Sequence, residues 1–149
     1  MKITRYLALA LAAGLLVCTA TACSSSDDSL SKADWVKQAN AICVAGSKQT
    51  EALSKKLTAS GSPSTAEMNT YIKAATANSV AQIAKIKTLG YPAGDKAELE
   101  GALVTWEDTL NQMAKNPAKA QELSADKKVT AATTTLRKYG LSKCAGSGA

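Results

Sequence analysis

The stretch SKADWVKQANAICVAGSKQTEALSKKL, residues 31–57, decides the fold. Its Val36, Ala39, Cys43, Gly46, Thr50, Leu53 and Leu57 follow one another by alternating steps of three and four. That spacing gathers side chains on one stripe of an α-helix and scatters them over both faces of a strand. Ser31 stands where an N-cap hydroxyl accepts an orphan backbone N–H, and Asp34 sits at the positive end of the helix dipole. Glu51 and Lys55 form an i,i+4 pair on the solvated side. A helix with one such stripe must bury it against other elements, which turns Cys43 toward a core.

Downstream, the same period recurs between clear breaks. Gly61-Ser62-Pro63 interrupts the pattern, and Ser64 with Glu67 makes an S-x-x-E capping box opening a second helix over Thr65 to Leu89, with Met68, Ile72, Ala75, Ser79, Ile83 and Ile86 on one face. Gly90 suits a left-handed stop and Pro92 forbids continuation. A third helix opens near Gly94-Asp95, with Asp95 as a cap and Glu98 behind it, and buries Leu99, Leu103, Trp106, Leu110 and Met113. Asn116-Pro117 ends it, and Pro117 suits the first position of a further helical turn. Ser124 is expected to cap the last helix, which carries Val129, Ala132, Leu136 and Tyr139. Gly140 closes that helix, with Leu141 folding back on Leu136.

The chain of 149 residues has no phenylalanine, 4% aromatic residues and abundant alanine, so close helix contact suits it better than a thick aromatic core. Strand signals are weak. The expected fold is all-α: an antiparallel up-down-up-down four-helix bundle over residues 31–144, followed by a flexible tail at 145–149.

The N-terminus reads as an address. Lys2 and Arg5 precede an apolar run from Leu7 to Val17, too short to span a bilayer, and Ala20-Thr21-Ala22 places small residues before Cys23. The segment resembles the signal and lipobox of bacterial lipoproteins, in which the cysteine thiol receives a diacylglycerol and becomes the first mature residue. Ala20 departs from the leucine usual in that family, and Ala20-Thr21-Ala22 also reads as an ordinary A-x-A secretion site. Both routes cut before Cys23 and make residues 1–22 a signal peptide. Residues 23–30 then form a short polar tether.

Cysteine arithmetic favours lipidation. Of 4 cysteines, Cys18 follows the bulky Val17 and leaves with the signal, so Cys23, Cys43 and Cys144 remain in an oxidising compartment. Acylation of Cys23 leaves Cys43 and Cys144 as an even pair able to form a disulfide. Such a bridge closes a loop on the order of 100 residues, which in the chain-entropy picture contributes about 4.7 kcal/mol. Net domain stabilities are about 5–15 kcal/mol.

Two segments together, Ala39-Asn40-Ala41-Ile42-Cys43 and Tyr139-Gly140-Leu141-Ser142-Lys143-Cys144, make the chain similar to small lipoproteins of actinobacteria. Those proteins join a lipobox to a helical domain with one cysteine in its first helix and another just after a terminal Tyr-Gly pair. The resemblance implies a fold and a location, the outer face of the cytoplasmic membrane, and no activity.

Catalysis is poorly provided for. There is no histidine to act as a base or ligand near neutral pH, and no P-loop, G-x-S-x-G or paired C-x-x-C spacing. Ser54-Lys55 and Ser142-Lys143 lack the separation that Ser-Lys chemistry needs. Glu100, Glu107 and Asp108 offer an acidic site on the third helix, but the seven-residue spacing of Glu100 and Glu107 is that of a solvated stripe, the favoured reading. No cofactor or metal is implied. Trp106, Met68 and Met113 are candidates for lining a narrow apolar pocket, although Trp106 continues the core row of Leu99, Leu103 and Leu110. Trp35, off the seam beside Lys32 and Lys37, suits either covering the bundle end or touching lipid headgroups.

The sequence pI is about 9.2, and removing Lys2 and Arg5 from the formal charge of +6 leaves +4. Export removes nucleic acid as the usual partner of such a charge. Lys55, Lys56, Lys127 and Lys128 can instead meet anionic phospholipids or phosphate-bearing wall polymers, and the expected partners are the membrane through the lipid anchor and either another envelope protein or an anionic wall polymer. The expected function is therefore that of a lipid-anchored envelope protein with a non-catalytic interaction or structural role. The alternative is a carrier or sensor of a small apolar ligand between the helices.

Overall fold

The computed structural model describes residues 30–59 and 61–144. The signal at 1–22, Cys23 with its tether to residue 29, and the tail at 145–149 lie outside the described residues. Within them the chain is all-helical: α1 (Lys32–Thr58), α2 (Thr65–Lys87), α3 (Lys96–Lys115), a 3-10 turn (Pro117–Lys119), α4 (Ala120–Ser124) and α5 (Lys127–Tyr139). Among the described residues no helix is long and apolar enough to cross a membrane.

Local chemistry sets most boundaries where the sequence places them. Ser31 Oγ accepts from Asp34 N at 3.1 Å and donates to Asp34 Oδ2 at 2.6 Å. At the start of α2, Glu67 N donates to Ser64 Oγ (3.3 Å) and Ser64 N donates to Glu67 Oε2 (2.8 Å), the reciprocal capping box. Gly90 takes φ 72° and Gly140 φ 115°, conformations that a β-carbon disfavours. Behind Gly140, Leu141 N donates to Leu136 O (2.9 Å) and Gly140 N to Arg137 O (3.0 Å), the paired bonds of a Schellman turn.

Several expectations need correction. The expected last helix is divided: Ser124 is the final residue of the short α4, and α5 is capped by Asp126, whose carboxylate accepts from Lys128 N at 2.7 Å. Asp95 does precede α3, yet its side chain makes no capping bond, because Oδ2 accepts the Tyr139 hydroxyl at 2.6 Å instead. Met68 is exposed rather than inward, and Ala66, Thr70 and Tyr71 are the residues of this part of α2 that face the end of α1. Leu30 belongs to the domain and not the tether; it is half-buried against the core just before the first cap.

Sequential helices pack as neighbours, α1 on α2, α2 on α3 and α3 on α5. The meeting of α5 with α1 is at the C-terminal end of α5, through the turn after it. Length explains this: α1 has 27 residues and α5 has 13, so at 1.5 Å per residue one is about 40 Å long and the other about 20 Å.

The core is accordingly concentrated at one end. Buried positions of α1 stop at Gly46, while Leu53 and Leu57, expected inward, are only half-buried. Fully buried are Trp35, Cys43, Ile83, Ile86, Leu99, Leu103, Leu136 and Leu141, drawn from every long element and the C-terminal turn. Each large apolar side chain so buried contributes about 1.5–3 kcal/mol of transfer free energy.

Candidate functional site

Three features offer themselves as a site: the cross-linked end of the domain, two grooves beside α1, and the lysines at the far end. The cross-linked end is built from Cys43 on α1 and Cys144 after α5, which form a disulfide with Cα atoms 4.9 Å apart. Asn40, one turn before Cys43, fastens the same turn twice. Its Nδ2 donates to Gly140 O at 2.8 Å, and its Oδ1 accepts from Lys143 N at 3.0 Å. Val36 lies against Gly140, where an added β-carbon would stand 3.0 Å from Val36 Cγ1.

Below this clasp the aromatic side chains collect. Trp35 is fully buried, its Nε1 donating to Gly90 O at 2.7 Å, with Tyr139 edge-on at 5.6 Å and Tyr91 tilted at 6.4 Å between ring centroids. Lys32 Nζ lies 4.0 Å from the Tyr139 ring centroid. The headgroup role suggested for Trp35 is therefore excluded by its burial. Burial, with the hydrogen bond to the Asp95 carboxylate second, holds the Tyr139 hydroxyl protonated well above the ordinary tyrosine range. This corner is a structural joint, with its polar groups satisfied internally.

Trp106 is different. It is half-buried, packs against the core, and lines a groove of about 320 Å³ with Ser47, Thr50, Glu51, Ser54, Tyr71, Ser79, Gln82, Lys143 and Cys144. The groove takes its walls from α1, α2, α3 and the C-terminal turn. Its α1 wall belongs to the half of that helix lying beyond Cys43. A second, more apolar groove of about 390 Å³ runs between the end of α1 and the start of α2, along Leu53, Leu57, Ala66, Thr70, Tyr71 and Ala74, with Lys56 and Glu67 at its edges. Met68 and Met113 line neither groove, so the structure does not gather Trp106, Met68 and Met113 into one pocket.

Lys55, Lys56, Lys127 and Lys128 are all exposed. Lys55 Nζ is 2.7 Å from Glu51 Oε1, the pair expected from their spacing; its partner keeps Glu51 below the usual carboxylate range and raises Lys55. Glu107 is not merely part of a solvated stripe, since it forms an ion pair across to Lys87 on α2. Among the described residues no three His, Cys, Asp or Glu side chains are gathered as metal ligands.

Two polar residues with structural work went unnoticed in the sequence. Asn40 is one, and Asn78 is the other, donating to Gly46 O at 2.8 Å and Thr50 Oγ1 at 2.9 Å across the α1–α2 contact. The available signal was position: each is an asparagine in mid-helix, where its propensity is poor unless the side chain finds a partner. Comparison with known protein families, with characterised proteins and with solved structures finds no significant match.

Proposed function

We propose that this chain is a lipid-anchored envelope protein, held at the outer face of the cytoplasmic membrane by Cys23, whose helical domain has a non-catalytic interaction or structural role. The observation that carries this reading is the Cys43–Cys144 disulfide. Such bonds persist in oxidising compartments, and its use of both domain cysteines leaves Cys23 the sole unpaired cysteine after cleavage of the signal. In this reading the long helices form an up-down-up-down four-helix arrangement, α1, α2, α3 and α5. Support comes from the packing of successive helices and from the arrival of the α5 C-terminus beside Val36 and Asn40, in the first half of α1.

Fractionation of intact cells tests the location. The wild-type chain is expected in the membrane fraction and open to protease added outside the cell, and the Cys23→Ala variant is expected to leave that fraction. A chain recovered from the cytoplasm, protected from protease, contradicts the reading.

A further inference from the structure

We infer that the groove beside Trp106 is a binding site for a neutral saccharide, an inference that goes beyond the anchored role and does not depend on Cys23. The contrast between the two tryptophans starts the argument. Trp35 Nε1 is engaged by Gly90 O at 2.7 Å, whereas the Trp106 indole N–H has no protein acceptor among the described residues. No fully enclosed side-chain nitrogen or oxygen among the described residues lacks a partner, so the N–H of the half-buried Trp106 is not fully enclosed. An indole that packs on the core without fully enclosing its N–H presents an apolar surface and a donor together.

The surrounding groups complete the chemistry. The hydroxyls of Ser47, Ser54 and Tyr71 make no side-chain hydrogen bond among the described residues, and Gln82 donates to Asn78 O at 3.3 Å while its own carbonyl oxygen stays available. These are uncharged groups mixing donors with acceptors, the complement of adjacent sugar hydroxyls, each of which both donates and accepts. The C–H face of a pyranose ring suits the indole surface. Charged groups are few in the lining, Lys143 and the Glu51 that Lys55 holds at 2.7 Å, so most of the groove's polar surface is uncharged. A wholly apolar ligand would desolvate the hydroxyls without replacing their hydrogen bonds.

The architecture supplies the space. The short α5 leaves the far half of α1 uncovered, and the disulfide-held turn at Cys144 fixes one end of a groove of about 320 Å³, near the lower end of the roughly 300–1,000 Å³ typical of small-ligand sites. A pyranose ring fits such a volume.

The test uses the full chain with its disulfide formed, mixed with glucose, N-acetylglucosamine, maltose or cellobiose at up to about 10 mM, and with sorbitol as a polyol lacking a ring face. Saturation-transfer NMR reports contact, and acrylamide quenching reports Trp106, since Trp35 is fully buried. At least one cyclic sugar should receive saturation at its ring C–H protons and protect Trp106, while sorbitol does neither. Trp106→Phe keeps a ring and removes the N–H, and should weaken binding about 3- to 10-fold. A Ser47→Ala, Ser54→Ala double variant, with unchanged circular dichroism, should weaken it comparably. No transfer to any of the sugars, transfer no greater than to sorbitol, or equal binding by the wild type and both variants overturns the inference.

Discussion

At the scale of single residues, Asn40 joins the first helix to the last turn without covalent chemistry. Its amide bridges Gly140 O and Lys143 N, so Asn40→Ala removes two hydrogen bonds and leaves a half-buried carbonyl without its donor. At about 0.5–1.5 kcal/mol per bond, the expected loss is about 1–3 kcal/mol in chemical denaturation, with the disulfide intact. Asn40→Asp should rescue only the bond from Lys143, because a carboxylate cannot donate to Gly140 O.

Tyr139 gives a pH dependence with a definite sign. Its folded-state pKa is raised, so the folded chain holds the phenolic proton more tightly than the unfolded chain does. The corresponding stability is complete below the unfolded value of about 10 and declines as pH rises above it. Tyr139→Phe should therefore be less stable at neutral pH, through loss of the bond to Asp95, and should show a shallower decline in alkaline solution. Parallel slopes for the two proteins in urea titrations above about pH 10 would remove Tyr139 as the cause.

Between elements, the sequence was legible wherever a boundary rests on local chemistry. Ser31, the Ser64–Glu67 box, Gly90 and Gly140 act as their types and positions imply, because each partner lies within a few residues. Legibility failed where a distant partner competes. Asp95 is of a type suited to a cap, but the hydroxyl of Tyr139, 44 residues further along the chain, takes its carboxylate. Trp35 looked peripheral beside two lysines, yet the loop carbonyl of Gly90 and the Tyr139 ring make it part of the core. In the last segment two capping residues lie close together, and Asp126 rather than Ser124 opens α5. Asp126→Ala should lower stability by about 0.5–2 kcal/mol, the range for losing an N-cap, while Ser124→Ala should change it far less. Equal thermal shifts from the two substitutions would contradict this assignment.

At the contact between α1 and α2, Gly46 is favoured by space rather than by backbone conformation. A β-carbon there would meet the Gln82 carboxamide, the flexible end of a side chain that can swing aside. Gly46→Ala should therefore change stability little, the displacement of Gln82 offsetting the roughly 1 kcal/mol that alanine gains over glycine in a helix. In a Gln82→Ala chain, where nothing has to move, the same substitution should be stabilising.

For the whole molecule, the disulfide and the uneven core belong to one design. The periodic stripe of α1 extends to Leu57, but periodicity records which side faces inward and not whether a partner is long enough to cover it. The short α5 packs beside α3 and reaches α1 at the turn cross-linked by Cys144, leaving open the groove beside Trp106. A double Cys43→Ser, Cys144→Ser variant should unfold at lower denaturant concentration, by as much as about 4.7 kcal/mol in the chain-entropy limit. The exposed lysines carry a second proposal at this scale: weak attraction to anionic wall polymers, screened over about 10 Å at 0.1 M salt. Reversing the charges of Lys55, Lys56, Lys127 and Lys128 should abolish sedimentation with purified polymer at low salt. Equal sedimentation of the folded wild type and folded variant would make those lysines an ordinary solvated surface.

The anchored role rests on how Cys23, Cys43 and Cys144 are used, and the intact mass of the protein extracted from its native membrane reads all of them at once. The expected mass is that of a chain beginning at Cys23, increased by a diacylglycerol and decreased by the hydrogens lost in forming the Cys43–Cys144 disulfide. A chain that retains residues 1–22, or one that begins at Cys23 without any lipid, would contradict the account.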